Sequence, residues 1–134
     1  MQLTSDDILL DMYCGAGSIG LSMADKIKQL VGVEIVPQAV ENAKINAKKM
    51  GFDNARFICA DAKDAAKMLV EENFLPTAVV VDPPRKGCDE DTLNAIISMD
   101  VSKISMISCN HATAARDCKY LAEHGYKVEF VQPY

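Results

Sequence analysis

Six short apolar runs, at residues 7–12, 30–36, 55–59, 77–81, 103–108 and 127–131, alternate along the chain with segments of helical spacing. Each run is too short for a helix and is bounded by glycine, proline or polar residues, so each reads as a strand. The run at 77–81 has no polar side chain after Thr77, and both of its faces must therefore be covered. Parallel strands joined by crossover helices are the arrangement that covers both faces of a sheet. The expected fold is a doubly wound α/β sheet, mostly parallel.

The connecting helices are expected at residues 18–29, from 37 to Gly51, at 62–72, at 90–98 and at 112–124. Ile19, Met23, Ile27 and Leu30 give the first an apolar stripe. The second opens on Pro37, where a missing N–H is harmless, and Ala39, Ala43, Ala47 and Met50 mark its inner face. No linker, repeat or low-complexity stretch divides the chain, so residues 1–134 read as one domain.

Three strand ends carry polar chemistry: Asp11-Met12-Tyr13-Cys14-Gly15, Asp82-Pro83-Pro84-Arg85 and Ser108-Cys109-Asn110. Open parallel sheets bind ligands beyond the carboxyl ends of their strands, so these three ends converge on one crevice. Gly15, Gly17 and Gly20 satisfy GxGxxG between a strand and a helix, and Glu34 ends the next strand, where an acid commonly takes ribose hydroxyls. Taken alone, that pattern fits NAD and S-adenosylmethionine (SAM) equally. Asp82 and its two prolines tilt the reading, because an acid and a stiff backbone suit a sulfonium and a planar base and have no evident use beside a nicotinamide. Asp61, past the third strand, suits either an adenine amino group or a helix cap. Cys109, at a strand end facing the crevice, is placed as a nucleophile. His111 follows Asn110 at a helix start and is assigned no role.

Charge and cysteine usage narrow the setting. A formal net charge of −5 and a sequence pI of 4.9 argue against this segment holding nucleic acid by its own field. Arg85, Lys86, Arg116 and Lys119 are the basic residues expected near the crevice. The five cysteines, at 14, 59, 88, 109 and 118, include no CxxC and no neighbouring histidine pair, so neither a disulfide framework nor a metal site is expected. Cys14 and Cys59 read as packing residues. No apolar run approaches the ~20 residues of a membrane span, and the MQLTSDD start lacks the regions of a signal peptide. A cytoplasmic location is expected.

The stretches DMYCGAGSIGL, VGVEIVPQAVENAKINA, DPPRKG and ISCNHATAARD together make the chain resemble the catalytic domain of the RNA uracil-5-methyltransferases, particularly those acting on large-subunit (23S) ribosomal RNA. The pairing of DPPR with SCN one strand later is the specific part of the likeness. The resemblance implies a Rossmann-like SAM-dependent fold, SAM as cofactor and an RNA substrate. It implies that Cys109 is the nucleophile and that Tyr13, Gly15, Gly17, Ser18, Glu34, Asp61 and Asp82 line the cofactor site, with Arg85 and Asn110 toward the base. The family's motif has proline after the asparagine; His111 stands there and leaves the thiol and Asn110 in place.

Uracil C5 is too poor a nucleophile to take a methyl group unaided, which is why such an enzyme needs the thiol. The thiolate adds to C6, the enolate takes the methyl from the sulfonium, a base removes the C5 proton, and elimination returns the cysteine. Relatives also carry an RNA-binding module, a central domain and, past the sixth strand, a glutamate that serves as base, so the resemblance implies a catalytic core truncated after the sixth strand, inactive alone, with RNA held mainly by absent parts. Members of that fold usually insert a last, antiparallel strand between the fifth and sixth; its absence here is expected to leave an edge that must re-pair or pair with another chain. A tRNA-directed enzyme, a non-catalytic SAM-binding module and an amino-directed methyltransferase are the alternatives; the last two have no use for Cys109.

Overall fold

The computed structural model describes residues 3–82, 90–107, 111–126 and 128–131. Six strands, β1 (Ile8–Met12), β2 (Gln29–Glu34), β3 (Ala55–Cys59), β4 (Ala78–Val81), β5 (Lys103–Ile107) and β6 (Val128–Val131), form one sheet in the order β3-β2-β1-β4-β5-β6. Every neighbouring pair is parallel. The helices between them are α1 (Ser18–Ser22), α2 (Pro37–Lys49), α3 (Ala62–Glu71), α4 (Glu90–Ser98) and α5 (His111–Glu123).

Side-chain alternation along the strands divides the core between two faces. Leu10, Met12, Val31, Val33, Val79 and Val81 pack with Leu69 of α3, Ile96 of α4 and Leu121 of α5. Leu9, Leu30, Ala78 and Val80 pack on the other side with Leu21 of α1 and Ala47 of α2. This is the doubly wound arrangement that apolar-throughout strands require. No helix among the described residues is long and apolar enough to cross a membrane.

The ends of α2, α3 and α5 share one device. After α2, Gly51 at φ 72° lets Phe52 N donate to Ala47 O at 3.0 Å and its own N to Lys48 O at 3.1 Å. Asn73 does the same after α3 and Gly125 after α5, each with positive φ and a backward bond from the following residue.

Two expectations about helices are corrected. α1 stops at Ser22 and a 3₁₀ turn at Ala24–Lys26 follows, where a helix through residue 29 is expected from the stripe. The competing demand is the sheet: Ile27 is extended, and Gln29 and Leu30 are claimed by β2, paired with Ile8 and Leu9. On α2 the buried face is Val40, Ala43 and Ala47, while Met50 lies beyond the last turn and is 56% exposed. Among the described residues the other elements lie within two residues of their expected bounds. With no antiparallel strand between them among the described residues, β6 pairs directly with β5, from Ile104↔Val128 to Ile107↔Val131.

The amino edge of the sheet is tied by Asp7. Its Oδ1 accepts from the Thr77 hydroxyl at 2.7 Å, its Oδ2 from Thr4 N at 2.7 Å, and Lys103 Nζ stands 3.7 Å away. The residues before β1, β4 and within β5 are thereby joined. The Thr77 hydrogen bond, with help from Thr4 and Lys103, outweighs burial and holds the carboxyl below its ordinary value of 3.8. The unfolded chain therefore takes up this proton first as pH falls, so the contribution is full above about pH 4 and lost below it. Asp7→Ala is expected to destabilise by about 1–3 kcal/mol at pH 7. Urea melts at pH 7 and pH 3 check it: the gap between variant and native narrows at the lower pH.

Candidate active site

β1 and β4 are adjacent, and the chain leaves them in opposite directions across the sheet, so their carboxyl ends open the crevice where such folds bind ligands. Immediately after β1, Tyr13 takes φ 61°, a left-handed conformation that is uncommon for a bulky side chain. Its neighbours hold it there: Cys14 N donates to Val33 O at 2.9 Å, and Asp82 N to Met12 O at 3.3 Å. The Tyr13 ring is half-buried against the core.

The glycine turn follows. Gly15 and Gly17 have φ of 57° and 83°, and Gly17 N donates to Cys14 O at 2.9 Å. A Cβ on Gly15 would meet nothing within 4 Å, so this part of the turn faces open space. A Cβ on Gly17 would crowd Leu21, Ala43 and Phe57 at 3.2–3.4 Å. Asn46 of α2 braces the turn by donating Nδ2 to Ala16 O at 3.2 Å, a contact the sequence did not signal.

Glu34 ends β2 half-buried, and its carboxylate spans the turn: Oε1 accepts from Gly15 N and Oε2 from Val36 N, each at 3.0 Å. It is therefore part of the scaffold as well as a candidate ligand group, since each carboxylate oxygen can accept again. Beside it Ile35 and Val36 are 62% and 50% exposed, an apolar surface at the crevice edge. Ala60 N donates to Glu34 O at 3.1 Å, which brings Asp61 alongside. Asp61 caps α3, its side chain accepting from Lys63 N at 3.4 Å.

Two further carboxyls lie at the β1–β4 junction. Asp82 is half-buried at the end of β4, and burial raises its pKa. Asp11, inside β1, is 1% exposed; its Oδ2 accepts from Gly20 N at 3.2 Å and its Oδ1 is buried with no hydrogen-bond partner. Burial pushes this carboxyl up to about 7, the Gly20 hydrogen bond opposing and the Asp82 charge adding to the rise. In the sequence, Asp11 stands out only as the start of a polar strand end. The available signal was a lone acid inside an apolar strand.

Among the thiols, Cys14 is half-buried and burial pushes it up to about 12, in keeping with a packing residue. Cys59 corrects its expectation: it is exposed at the end of β3, its thiol donating to Ile35 O at 3.7 Å. On α5, Arg116 Nε pairs with the buried Asp117 at 3.2 Å, and Lys119 is exposed. Arg85, Lys86, Cys88, Cys109 and Asn110 lie outside the described residues, as does the side chain of Ser18, whose backbone opens α1. The strand leading to Cys109, β5, ends at Ile107, next to β4 through the pair Val81↔Met106.

Known proteins match this chain over most of its length. A family model described as tRNA (Uracil-5-)-methyltransferase matches residues 1–131. An uncharacterized RNA methyltransferase of Bacillus cereus is 47% identical over 132 residues, covering 98% of this chain and 29% of its own length. One from Clostridium acetobutylicum is 44% identical over 131 residues, covering 98% and 28%. Among solved structures, the Pyrococcus abyssi tRNA (uracil-54, C5)-methyltransferase in complex with S-adenosyl-L-homocysteine matches with a TM-score of 0.74 and 28% identity, over 87% of this chain and 28% of that one. A precorrin 8w decarboxylase from Methanobacterium thermoautotrophicum, with a TM-score of 0.79 and 20% identity, shares the fold. The chain spans less than a third of the length of these curated relatives. By the match over residues 1–131, this chain belongs to the tRNA (Uracil-5-)-methyltransferase family.

Proposed function

We propose that this chain is a catalytic core that transfers a methyl group from SAM to C5 of a uridine in RNA, 23S ribosomal RNA by the likeness of its motifs, with Cys109 as the nucleophile. The observation that carries the reading is the meeting, at the carboxyl ends of adjacent β1 and β4, of an open glycine turn with Glu34, Asp11 and Asp82. These residues fit SAM. Gly15 leaves room for a close approach, Glu34 keeps acceptor capacity for the ribose, and exposed Ile35 and Val36 offer apolar surface to a base. Two acids at the crevice, Glu34 and Asp82, favour a ligand with a sulfonium and an ammonium over an anionic dinucleotide.

When bound, SAM supplies the electrophilic methyl. The chain's part is to hold that methyl over the base and to add the Cys109 thiolate at C6, forming an S–C6 bond and an enolate at C5. Methylation at C5, loss of the C5 proton to a base and cleavage of the S–C6 bond complete the cycle and return the thiolate. Tyr13, Ser18, Asp61, Arg85 and Asn110 belong to the same proposed site.

Two measurements test this. Glu34→Ala is expected to weaken SAM binding by about 1–3 kcal/mol, the range for hydrogen bonds to a charged group, and NAD is expected not to bind. Unchanged affinity in calorimetry would place the ribose elsewhere. The whole protein is expected to trap 5-fluorouridine-substituted RNA as a covalent adduct, because fluorine cannot leave as the proton does. Both 23S rRNA and tRNA are the substrates to offer, the second because the family model and the P. abyssi structure are named for tRNA. Trapping of tRNA alone would overturn the ribosomal assignment; no adduct with either RNA would overturn the cysteine mechanism.

A further inference from the structure

We propose that Asp11 is a positioning residue for the cofactor turn: through its bond to Gly20 N it fixes the turn carrying Gly15 and Gly17 over the crevice, and it answers to the charge of the ligand bound there. The inference rests on the SAM reading above. Asp11 sits in the centre of the sheet, paired with Gly32 of β2 and Val80 of β4, and Asp82 follows Val80 by two residues. One of its oxygens reaches across to α1, and Gly20 is close enough that a Cβ there would stand 2.8 Å from Asp11 Oδ2. The strand and the helix that bracket the turn are thus joined by a single side chain.

The other oxygen decides its charge. A buried carboxylate with one oxygen bonded only to an amide and the other to nothing is costly, so burial favours the protonated form in the unliganded protein. Burial and the Asp82 charge keep it near the neutral range, at about 7. The titratable groups facing it are Asp82 at the end of β4 and Cys14 in the turn, with Glu34 beyond Cys14; the Cys14 thiol is neutral at this pH, and α1 carries no titratable side chain. Ionisation of Asp11 therefore adds one negative charge beneath the turn. A ligand bearing a sulfonium stabilises that charge and lowers the pKa, so SAM binding releases a fraction of a proton and strengthens as pH rises through 7. S-adenosylhomocysteine, which lacks the sulfonium, gains less.

The test is calorimetry on the whole protein with SAM and S-adenosylhomocysteine at pH 6 and pH 8, on native, Asp11→Asn and Asp11→Leu forms. Native affinity for SAM is expected to rise about two- to threefold over that interval, as a bound-state pKa about half a unit lower produces, with a smaller rise for S-adenosylhomocysteine. Asp11→Asn keeps an acceptor for Gly20 N and cannot ionise, so it is expected to bind SAM within about threefold of native, without the pH dependence. Asp11→Leu is expected to lose about tenfold or more in affinity, the equivalent of about 1.4 kcal/mol, while amide exchange at Gly20 speeds up. A native pH profile retained in Asp11→Asn, or native affinity and Gly20 protection in Asp11→Leu, would overturn the role. If Asp11→Leu does not fold, the Asn profile decides alone. Failure of the native protein to bind either ligand would sink the SAM reading and the charge coupling, and Gly20 exchange then still reads whether Asp11 holds the turn.

Discussion

Cys109→Ala in the whole protein is expected to lower methyl transfer by roughly 10³-fold or more while SAM affinity stays within about twofold of native. The asymmetry follows from where the residues stand. The turn, Glu34, Asp11 and Asp82 belong to β1, β2 and β4 and their ends, whereas Cys109 follows β5 and is proposed to act on the base alone. Without addition at C6, C5 keeps its low nucleophilicity however well the methyl is placed, so proximity has nothing to accelerate. The variant also loses the covalent 5-fluorouridine adduct. Single-turnover transfer with tritiated SAM and calorimetry on the same preparation separate the two effects. Retained transfer would remove Cys109 from the mechanism; loss of both transfer and SAM binding would mean that the β5 end shapes the cofactor site.

The strands were readable because a central parallel strand has no polar face to disguise it: ILL and AVVV are apolar on both sides and bounded by breakers. Periodicity failed where two elements claim the same residues. Ile19, Met23, Ile27 and Leu30 have helical spacing, yet Leu30 belongs to β2, and its pairing with Leu9 outweighs the extra helical turn. Met50 has the spacing of the α2 stripe but comes after the final turn, where it no longer faces the sheet. In the site, the glycines and Glu34 were visible as a motif. The bonds that make them a scaffold were not, because Gly15 N to Glu34 and Asn46 to Ala16 O join residues 19 and 30 positions apart. Asp11 was visible as a lone acid in an apolar run, while its burial and its one unpartnered oxygen emerge only from the packing around it.

Gly20→Ala is expected to destabilise the protein by about 1–3 kcal/mol and to weaken SAM binding with it. On propensity alone the change would help, since alanine is favoured over glycine within a helix by about 1 kcal/mol or less. Space decides against it. The new Cβ would stand 2.8 Å from both Asp11 Oδ2 and Leu30 Cδ1 and 3.1 Å from Leu30 Cδ2, and both neighbours are buried. Leu30 has no free direction to swing into, because it is fully enclosed among Leu9, Leu21 and Val80. The relief open to the structure is to lift α1 off β1, which stretches the Asp11 bond to Gly20 N and moves the start of α1 against the turn. Shortening the obstacle tests this: Leu30→Ala in the Gly20→Ala background makes room for the new methyl, so the double variant is expected to be less destabilised than the sum of the two single changes. Equilibrium urea unfolding of the four forms measures that coupling. Strict additivity, or a Gly20→Ala protein as stable as native, would show that α1 has room to spare and that the contact with Asp11 does not set its position.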